Sequence, residues 1–303
     1  MYDIIGDIHG NADSLKVLLH KLGYDNTAGY YRHPERKAIF TGDFINRGKK
    51  VRQTLKTVRR MVDNKSAYAV MGNHEYNIIC YHTKSFGKGY LKKHTSANRS
   101  LFYYTTKAFR NHPAEFKEYL EWMKNLPLFQ EFENFRVVHA CWDKQLVKFV
   151  KRNLPGNRMT EAFLHNSARE GTIENKVIEV LLTGIEIPAG RLTSVVNSQG
   201  NPVERVRIKW WMKPDGQLLG NVALGDYKIT PDRPIKRREK SMFLPYSEGK
   251  RPVFIGHYCL REEPGLQSPN LCCVDYCCYR KGKLVAYRLH GETRLKSKNI
   301  VSV

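Results

Sequence analysis

Long hydrophobic runs are missing from this sequence of 303 residues. No run approaches the roughly 18 consecutive apolar residues that a membrane-spanning helix needs. The opening residues 1–7 contain neither a basic segment nor a long apolar one. The sequence therefore predicts a chain without a signal peptide or a membrane partner, located in the cytoplasm.

Cysteine is also scarce, with seven residues in the whole chain. Because the number is odd and no export signal is predicted, we expect reduced thiols and no disulfide scaffold. Four of the cysteines fall within residues 272–278, as two adjacent pairs on a predicted strand. Adjacent residues of a strand point to opposite faces, and this spacing differs from that of zinc ligands. The pattern favours small side chains that fill a core over a structural metal site.

Acidic residues are few, 29 against 51 basic ones, which gives a net charge of +22. A surface this positive favours a polyanionic partner such as a nucleic acid, a nucleotide or a phosphorylated chain. The alternative is that the charge serves only solubility. The apolar fraction of 41% suffices for a core and argues against a wholly disordered chain.

The segment between Tyr76 and Ala114 contains no acidic residue, and its basic residues alternate with aromatic ones. Lys88, Lys92, Lys93 and Arg99 would attract a polyanion there, with the aromatic rings available for base stacking. The alternative is an amphipathic cap with a core of aromatic rings and solvated lysines.

Strands and helices alternate over the first seventy residues, as expected for an α/β fold. Strands are predicted at residues 3–5, 38–40, 67–71, 136–138, 253–255, 271–279 and 284–289. Residues 155–250 differ, because proline and glycine interrupt them often. We expect one domain over residues 1–303, with an inserted α+β segment at 155–250.

Short polar motifs follow five of the predicted strands. They are Gly6-Asp7-Ile8-His9-Gly10, Gly42-Asp43-Phe44-Ile45-Asn46-Arg47-Gly48, Gly72-Asn73-His74-Glu75, His139-Ala140 and Gly256-His257. Ligands of open α/β sheets bind at the carboxyl ends of the strands. One such motif is commonly a turn, but five at the same edge of a fold indicate a binding site.

Asp, His and Asn side chains suit divalent first-row metals, so the motifs predict a site for two ions of Mn, Fe, Zn or Ni. Asp7 and His9 are two residues apart and can reach one ion, and Asp43 can bridge both. The second ion would be completed by Asn73, His139 and His257. Two neighbouring ions can activate a water for in-line attack on phosphorus.

Two further residues of these motifs suit phosphate chemistry. Arg47 can bind phosphate oxygens through two parallel hydrogen bonds. His74 directly follows a predicted ligand and can act as the general acid that protonates the leaving oxygen.

Together these motifs resemble those of the calcineurin-like metallophosphoesterases. More narrowly they resemble the phosphoprotein-phosphatase branch, which includes the symmetrical diadenosine tetraphosphatases and the phosphatase module of bacterial polynucleotide kinase-phosphatases. The resemblance implies a four-layer α/β/β/α sandwich and a dinuclear centre, most often of manganese. It implies the ligand sets Asp7, His9 and Asp43 for one metal, and Asp43, Asn73, His139 and His257 for the other.

Two positions separate the branches of that family. Nuclease-like members carry Gly-His-x-His, whereas this chain has Gly256-His257-Tyr258-Cys259. The resemblance further implies an Asp before the phosphate-binding Arg, and this chain has Asn46 there. A neutral amide stabilises an imidazolium less than a carboxylate does, so we expect His74 to have a lower pKa than in the family, or Asp275 to assist it. The alternative for Asp275 is a turn former at a strand end.

The sequence thus predicts a bacterial phosphomonoesterase that uses a metal-bridging hydroxide, acting on a nucleotide or nucleic-acid phosphate or on a phosphoprotein. Two alternatives are a dinucleoside tetraphosphate hydrolase and a catalytically weak polyanion-binding protein. The inserted segment is similar to one in bacterial metallophosphoesterases near the polynucleotide phosphatases. For its Trp210-Trp211 pair we expect one ring in the core and one facing solvent, with substrate stacking as the alternative.

Overall fold

The computed structural model describes residues 1–190, 193–197 and 199–303. Its strands are β1 (Tyr2–Ile5), β2 (Lys37–Phe40), β3 (Ala67–Ala69), β4 (Phe129–Glu131), β5 (Arg136–Val138), β6 (Glu186–Pro188), β7 (Ser194–Asn197), β8 (Arg205–Arg207), β9 (Tyr227–Thr230), β10 (Val253–Ile255), β11 (Leu271–Cys273), β12 (Asp275–Tyr276), β13 (Lys283–Leu289) and β14 (Ile300–Ser302). Its α-helices are α1 (Ala12–Lys21), α2 (Val51–Asp63), α3 (Asn73–His82), α4 (Ser96–Phe109), α5 (Pro113–Lys124), α6 (Lys144–Asn153), α7 (Glu161–Ser167), α8 (Ile173–Ile178), α9 (Leu219–Val222) and α10 (Arg237–Lys240).

Two sheets form the centre of the fold. The first has the order β12-β13-β1-β2-β3, with β14 also paired to β13, and the second has the order β11-β10-β5-β4. The strands β1, β2 and β3 run parallel to one another, as do β5, β10 and β11. Each parallel group therefore brings its carboxyl ends to one edge of its sheet.

The two sheets pack face to face, because alternate residues of a strand point to opposite sides. Ile4 of β1 and Ile39 of β2 share a buried cluster with Val137 of β5 and Phe254 of β10. Their neighbour Ile5 belongs instead to the cluster that contains the leucines of α1 and the valines of α2. Burial on both faces explains why these short strands are mainly apolar.

Helices cover the outer faces of the sheets. The leucines that repeat in α1 are buried, and so are Val51, Leu55, Val58 and Met61 of α2. On the second sheet, Leu146, Val147 and Val150 of α6 are buried in the same cluster as Val138. The α/β class and the layered order of helix, sheet, sheet and helix predicted from the sequence are confirmed.

Residues 155–250 form small sheets of their own, β6 with β8 and β7 with β9, together with short helices. They join the second sheet through Trp210, whose Nε1 donates a hydrogen bond of 3.2 Å to the carbonyl of Ala140. The expectation that one tryptophan of the pair faces solvent is wrong. Trp210 is fully buried and Trp211 is 9% exposed, because the strand ends at Arg207 and the chain turns inward there.

The expectation of free thiols is wrong for one pair of cysteines, because the structure joins Cys259 to Cys277 by a disulfide. The predicted strand over 271–279 ends at Cys273 and resumes at Asp275, so Cys277 lies in a turn. Cys272 and Cys273 are buried, as predicted.

No helix among residues 1–190, 193–197 and 199–303 combines the length and apolarity needed to cross a membrane.

Candidate functional site

The predicted site residues meet where the carboxyl ends of the two sheets face each other. Asp7 follows β1 and His257 follows β10, 250 residues later. The backbone N–H of His257 nevertheless donates a hydrogen bond of 3.0 Å to Oδ2 of Asp7. Thr41 also donates to this carboxylate, from its hydroxyl to Oδ1 over 3.2 Å. The facing of the two sheets therefore assembles the site.

Asp43 lies at the centre of the histidines. Its Oδ2 is 3.6 Å from Nε2 of His9 and 3.9 Å from Nε2 of His74. Its Oδ1 is 3.5 Å from Nε2 of His139. One carboxylate thus faces imidazoles on both sides, as a bridging ligand would.

Asn73 lies between His139 and His257, the two histidines that follow strands of the second sheet. Its Oδ1 lies 3.0 Å from Nε2 of His139 and 2.9 Å from Nδ1 of His257. These ring atoms, the Asn73 oxygen and a carboxylate oxygen of Asp43 form a cluster of possible ligand atoms.

Two groups have ligand atoms that all lie within 4.8 Å of one another. They are His9, Asp43 and His74, and Asp43, His139 and His257. The shared member is the residue predicted to bridge. The first group contains His74, which was predicted to be the general acid, so the structure places His74 within reach of the first metal position as well.

Backbone carbonyls orient two of the rings. Nδ1 of His9 donates to the carbonyl of Ile45 over 2.9 Å, and Nδ1 of His139 donates to that of Thr41 over 2.6 Å. A carbonyl only accepts, so the proton of each neutral ring sits on Nδ1. The lone pair of Nε2 is then turned toward Asp43, as a metal ligand requires.

The backbone is strained at the same residues. His9, Asp43, Arg47 and His257 have φ angles of 48°, 54°, 60° and 70°. This left-handed conformation costs a residue with a side chain about 1–2 kcal/mol. Such strain persists where the surrounding fold imposes it, and it concentrates at functional sites.

Two glycines allow the close approach of the loops. A Cβ at Gly256 would lie 2.2 Å from Oδ1 of Asp7, and one at Gly72 would lie 2.2 Å from Oδ1 of Asp43. Any side chain at either position would displace a predicted ligand. The glycines of these motifs are therefore explained by the carboxylates that they face.

The site concentrates buried carboxylates. Burial, and then the charges of Asp275 and Asp43, raise the pKa of Asp7 well above its usual value. Burial would raise the pKa of Asp43 too, but His139 and His74 hold it well below the usual range. Among residues 1–190, 193–197 and 199–303, no Lys or Arg nitrogen lies within 4 Å of Asp7, Asp43 or Asp275.

These observations fit a site for cations. Buried carboxylates need a compensating positive charge. Nδ1 of His257 and Nε2 of His139 both face Oδ1 of Asn73, and an imidazole lone pair in that position can bind a metal ion. The donor set of carboxylate, imidazole and amide oxygen is the one that divalent first-row metals accept.

Glu75 fixes the loops that carry the ligands. It is fully buried, and its carboxylate accepts hydrogen bonds from the N–H groups of Asp43 (2.7 Å), Phe44 (2.9 Å) and Gly72 (3.1 Å). Burial and the nearby charge of Asp43 raise the pKa of Glu75. Sequence reasoning gave this residue no role, although its place in the Gly72-Asn73-His74-Glu75 motif marked it.

Asn46 and Thr105 position His74. Nδ2 of Asn46 donates to Nδ1 of His74 over 2.7 Å, and Thr105 Oγ1 donates to Oδ1 of Asn46. Thr105 belongs to α4, which was not predicted as a helix. The predicted contact between Asn46 and His74 is therefore present, and a residue that sequence reasoning missed supports it.

Asp275 lies against the loops and not against His74. Its two carboxylate oxygens accept from the N–H groups of Cys259 (2.6 Å) and Cys277 (3.0 Å). In the described part of the chain, no hydrogen bond or ion pair joins Asp275 to His74. The geometry gives Asp275 a role in holding the loop that follows His257.

Arg47 is exposed beside the histidines. Its guanidinium lies 5.3 Å from the centre of the Tyr279 ring, which in turn lies 4.9 Å from the ring of His9. Sequence reasoning missed Tyr279 and also Arg207. Burial, and then the positive charge of Arg207, lower the pKa of His257. Arg207 belongs to the inserted segment, whose position relative to the sheets has no signal in the sequence.

Comparison with known sequences supports the resemblance. The family described as "Calcineurin-like phosphoesterase" matches residues 2–184. The asymmetrical bis(5'-nucleosyl)-tetraphosphatase PrpE of Oceanobacillus iheyensis is 32% identical over 139 residues, 46% of this chain and 54% of that protein. The symmetrical bis(5'-nucleosyl)-tetraphosphatase of Marinomonas sp. is 31% identical over 171 residues, 53% of this chain and 54% of that protein.

PrpE of Halalkalibacterium halodurans is 45% identical over 74 residues, 24% of this chain and 30% of that protein. The chain thus spans about half or less of the length of the curated relatives that it matches. Among solved structures, a cold-active protein-tyrosine phosphatase of Shewanella sp. superposes with a TM-score of 0.52 at 13% identity, covering 97% of this chain and 80% of the other. At that identity the likeness concerns the fold alone.

Proposed function

Because the chain belongs to the calcineurin-like phosphoesterase family, we propose that it is a metal-dependent phosphomonoesterase. The observation that carries this proposal is the position of Asp43, which is shared by the His9 group and the His139 and His257 group. Two divalent cations held there would lower the pKa of a water and stabilise charge on phosphate oxygens.

The proposed ligands of the first metal are Asp7, His9 and Asp43. Those of the second are Asp43, Asn73, His139 and His257. The Nδ1 of His9 and His139 is engaged by carbonyls, which leaves Nε2 for the metal. Manganese is our first choice, with Fe, Zn and Ni as alternatives.

Arg47 is proposed to bind the phosphate group that reacts, because its guanidinium is exposed beside the histidines and can form two parallel hydrogen bonds to phosphate oxygens. His74 is proposed to donate the proton of Nε2 to the leaving oxygen. Asn46 is the positioning residue for His74, since its amide holds Nδ1.

The substrate class of this proposal is a phosphate monoester on a nucleotide, a nucleic-acid end or a protein. The net charge of +22 favours the first two. A second candidate is a dinucleoside tetraphosphate, which the names of the sequence relatives favour.

We further propose that residues 1–303 form one domain with 155–250 as an insertion, since Trp210 packs onto the second sheet. The cytoplasmic location stays a prediction.

The test of the proposed function is hydrolysis of p-nitrophenyl phosphate with and without Mn²⁺. Asp43→Asn should lower kcat about 10³-fold or more, since several kcal/mol of transition-state stabilisation depend on the ligand set. Asp13→Asn is the matched control, because Asp13 is exposed and pairs with Lys50. Absence of turnover by the parent with any divalent metal would refute the proposal and favour the polyanion-binding protein.

The same preparation decides between the substrates. A panel of a phosphopeptide, diadenosine tetraphosphate, a 2′,3′-cyclic nucleotide and end-phosphorylated RNA and DNA should be compared by kcat/KM in Mn²⁺. A nucleotide or nucleic-acid end is expected to give the highest value. Preference for diadenosine tetraphosphate would select the second candidate.

A further inference from the structure

A hairpin over residues 84–90 follows helix α3 on the surface of the protein, and its two ends pair as an antiparallel bridge. A Cβ built at Gly87 or Gly89 would meet no other atom of the described residues within 4 Å, so the tip of the hairpin stands in open solvent. The candidate ligand Asn73 begins α3 and the hairpin follows its end, which separates them by about 14 Å along the helix at the usual rise per residue. The hairpin is therefore distinct from the candidate metal centre.

A stack of three parallel rings leads from the core to this hairpin. The ring of His94 lies 3.8 Å from that of Tyr81 and 4.3 Å from that of Tyr90, with interplanar angles of 17° and 20°. The two tyrosines cover opposite faces of His94, because one face of an imidazole has no room for both. Nε2 of His94 donates to the carbonyl of Tyr81 over 2.8 Å, which fixes the middle ring. Tyr81 is buried and Tyr90 is 40% exposed, so the stack ends on a ring that is open to solvent.

A second stack ends in the same way. The ring of Phe86 lies 3.8 Å from that of His165 in α7, at an interplanar angle of 15°. His165 is buried, and its Nε2 lies 3.2 Å from Oε1 of Glu161. Phe86 is nevertheless 87% exposed. The hairpin thus holds two aromatic rings in place and leaves a face of each uncovered.

Unpaired cations lie in the hairpin and next to it in the chain. Lys84, Lys88 and Lys93 are exposed. In the described part of the chain, no carboxylate oxygen lies within 4 Å of their Nζ atoms. The segment between Tyr76 and Ala114 contains no acidic residue that could neutralise them. The three lysines are therefore available to an anionic partner.

The rest of the acid-free segment packs against the protein. Phe102 and Phe109 of α4 are buried. Lys92 is half-buried, and Arg99 donates to the carbonyl of His94. The two interpretations of the sequence thus apply to different parts of the segment, because the helix is a cap and the hairpin presents open rings and charge.

We propose that the hairpin is a docking surface for single-stranded nucleic acid. One base would stack on Tyr90 and another on Phe86, while Lys84, Lys88 and Lys93 bind backbone phosphates. Aromatic rings with an open face bind unpaired bases, since every base has a π-face, whereas the bases of a duplex are already stacked on one another. An anionic lipid can pair with lysines but has no flat group to stack on the rings. This surface is independent of the proposed function.

The probe is a labelled oligothymidylate of about 12 nucleotides with hydroxyl ends, a length within the range of single-strand binding sites. It contains no phosphate monoester, so fluorescence anisotropy measures its binding to the intact protein without turnover. Phe86→Leu/Tyr90→Leu should weaken binding about 25-fold or more, since each lost stack contributes about fivefold or more. Phe86→Tyr/Tyr90→Phe keeps both rings flat and should bind as the parent does. Both side chains are exposed, so these variants are expected to fold.

An abasic strand of the same length separates stacking from charge. It should bind the parent about 25-fold or more less tightly than the oligothymidylate, and Phe86→Leu/Tyr90→Leu should not weaken it further. Lys84→Ala/Lys88→Ala should reduce the slope of log Kd against log salt by about 1.4, since each phosphate contact of a single strand contributes about 0.7. Lys16→Ala/Lys56→Ala is the matched control, because it removes the same charge from exposed positions of α1 and α2.

The outcomes separate the docking surface from its alternatives. Equal weakening of the two strands by Phe86→Leu/Tyr90→Leu, or an equal change of slope in Lys16→Ala/Lys56→Ala, would overturn the proposal in favour of general charge attraction. Vesicles rich in phosphatidylserine that displace the oligomer from the parent, and bind less tightly to the leucine variant, would overturn it in favour of a membrane. Loss of strand binding by the parent with p-nitrophenyl phosphate still hydrolysed would refute the surface alone. Strand binding without any ester hydrolysis would refute only the proposed function.

Discussion

Nδ2 of Asn46 lies 2.7 Å from Nδ1 of His74 and donates a hydrogen bond to it. With Nδ1 accepting, the proton of neutral His74 sits on Nε2, which faces Oδ2 of Asp43 over 3.9 Å. Thr105 holds the amide of Asn46 in this orientation. Nε2 of His74 thus carries a hydrogen that faces the site, where it can donate a hydrogen bond to a leaving oxygen.

His74→Gln should slow the hydrolysis of phenyl phosphate by about 10²-fold or more and that of p-nitrophenyl phosphate much less. General acid catalysis contributes about 10²–10⁴-fold where the leaving oxygen is basic, and nitrophenolate needs little protonation. The measurement is kcat for both substrates. His290→Gln, at an exposed histidine, is the control. Equal losses on the two esters would assign His74 to the metal position that it also borders.

Mn²⁺ should raise the melting temperature of the protein. Cations compensate the buried carboxylates of Asp7, Asp43 and Asp275 only in the folded state, and a ligand at 100 times its Kd stabilises by about 2.7 kcal/mol. Thermal unfolding with and without Mn²⁺ measures the effect. Asp43→Asn should abolish most of the shift and Asp13→Asn should retain it. A shift that survives Asp43→Asn would place the metal elsewhere.

Glu75→Gln should destabilise the protein by about 1–3 kcal/mol. The amide turns one acceptor oxygen into a donor, so at least one of the N–H groups of Asp43, Phe44 and Gly72 loses its buried partner. Urea unfolding measures the loss. Glu118→Gln, with 68% of the side chain exposed, should remain within about 0.5 kcal/mol of the parent. A stable Glu75→Gln variant would contradict the role of this carboxylate as a clamp.

Glu239→Gln should destabilise the protein at pH 7 by about 3 kcal/mol, because it breaks a buried, two-pronged ion pair with Arg233. Burial would raise the pKa of Glu239, but the Arg233 guanidinium lowers it below the usual 4.5. Because the pKa of Glu239 is lower in the folded protein than in the unfolded chain, the ion pair stabilises the fold fully above pH 4.5. This stabilisation is lost as the pH falls through the pKa of Glu239 in the folded protein.

Unfolding of the parent and Glu239→Gln at pH 7 and at pH 3 checks this prediction, and the difference between them should shrink at pH 3. Glu248→Gln is the control, because its ion pair with Arg294 is exposed on both sides. A difference that is constant with pH would show that the charge of Glu239 does not matter.

Much of the fold and the site could be predicted from the sequence, because both depend on local patterns. Apolar strands that end in glycine-bounded polar motifs place Asp7, Asp43 and Asn73 at one sheet edge once β1, β2 and β3 are parallel. Five such motifs, and their family resemblance, sufficed to predict the facing sheets and the set of residues that the structure brings together.

What could not be predicted depends on contacts between distant segments. Arg207 and Tyr279 border the site because the inserted segment and a late turn fold back onto it, and neither placement has a local signal. Helix α4, which supplies Thr105, lies in the acid-free segment between Tyr76 and Ala114. The charges and aromatic rings of that segment point to a binding surface or a cap, and they do not predict a helix there. The Cys259–Cys277 disulfide likewise could not be predicted, because Cys277 can approach Cys259 only when the strand is interrupted after Cys273.

The hydrogen bond from His257 to Asp7 has a consequence for the order in which this protein matures. Asp7, the first predicted ligand, is synthesised 250 residues before its partner His257. Contacts so distant in sequence form late, since the loop that they close is long. Metal uptake would therefore report that the last strands have docked, because a chain truncated before residue 250 would lack His257 and the strands β10 to β14, which belong to both central sheets.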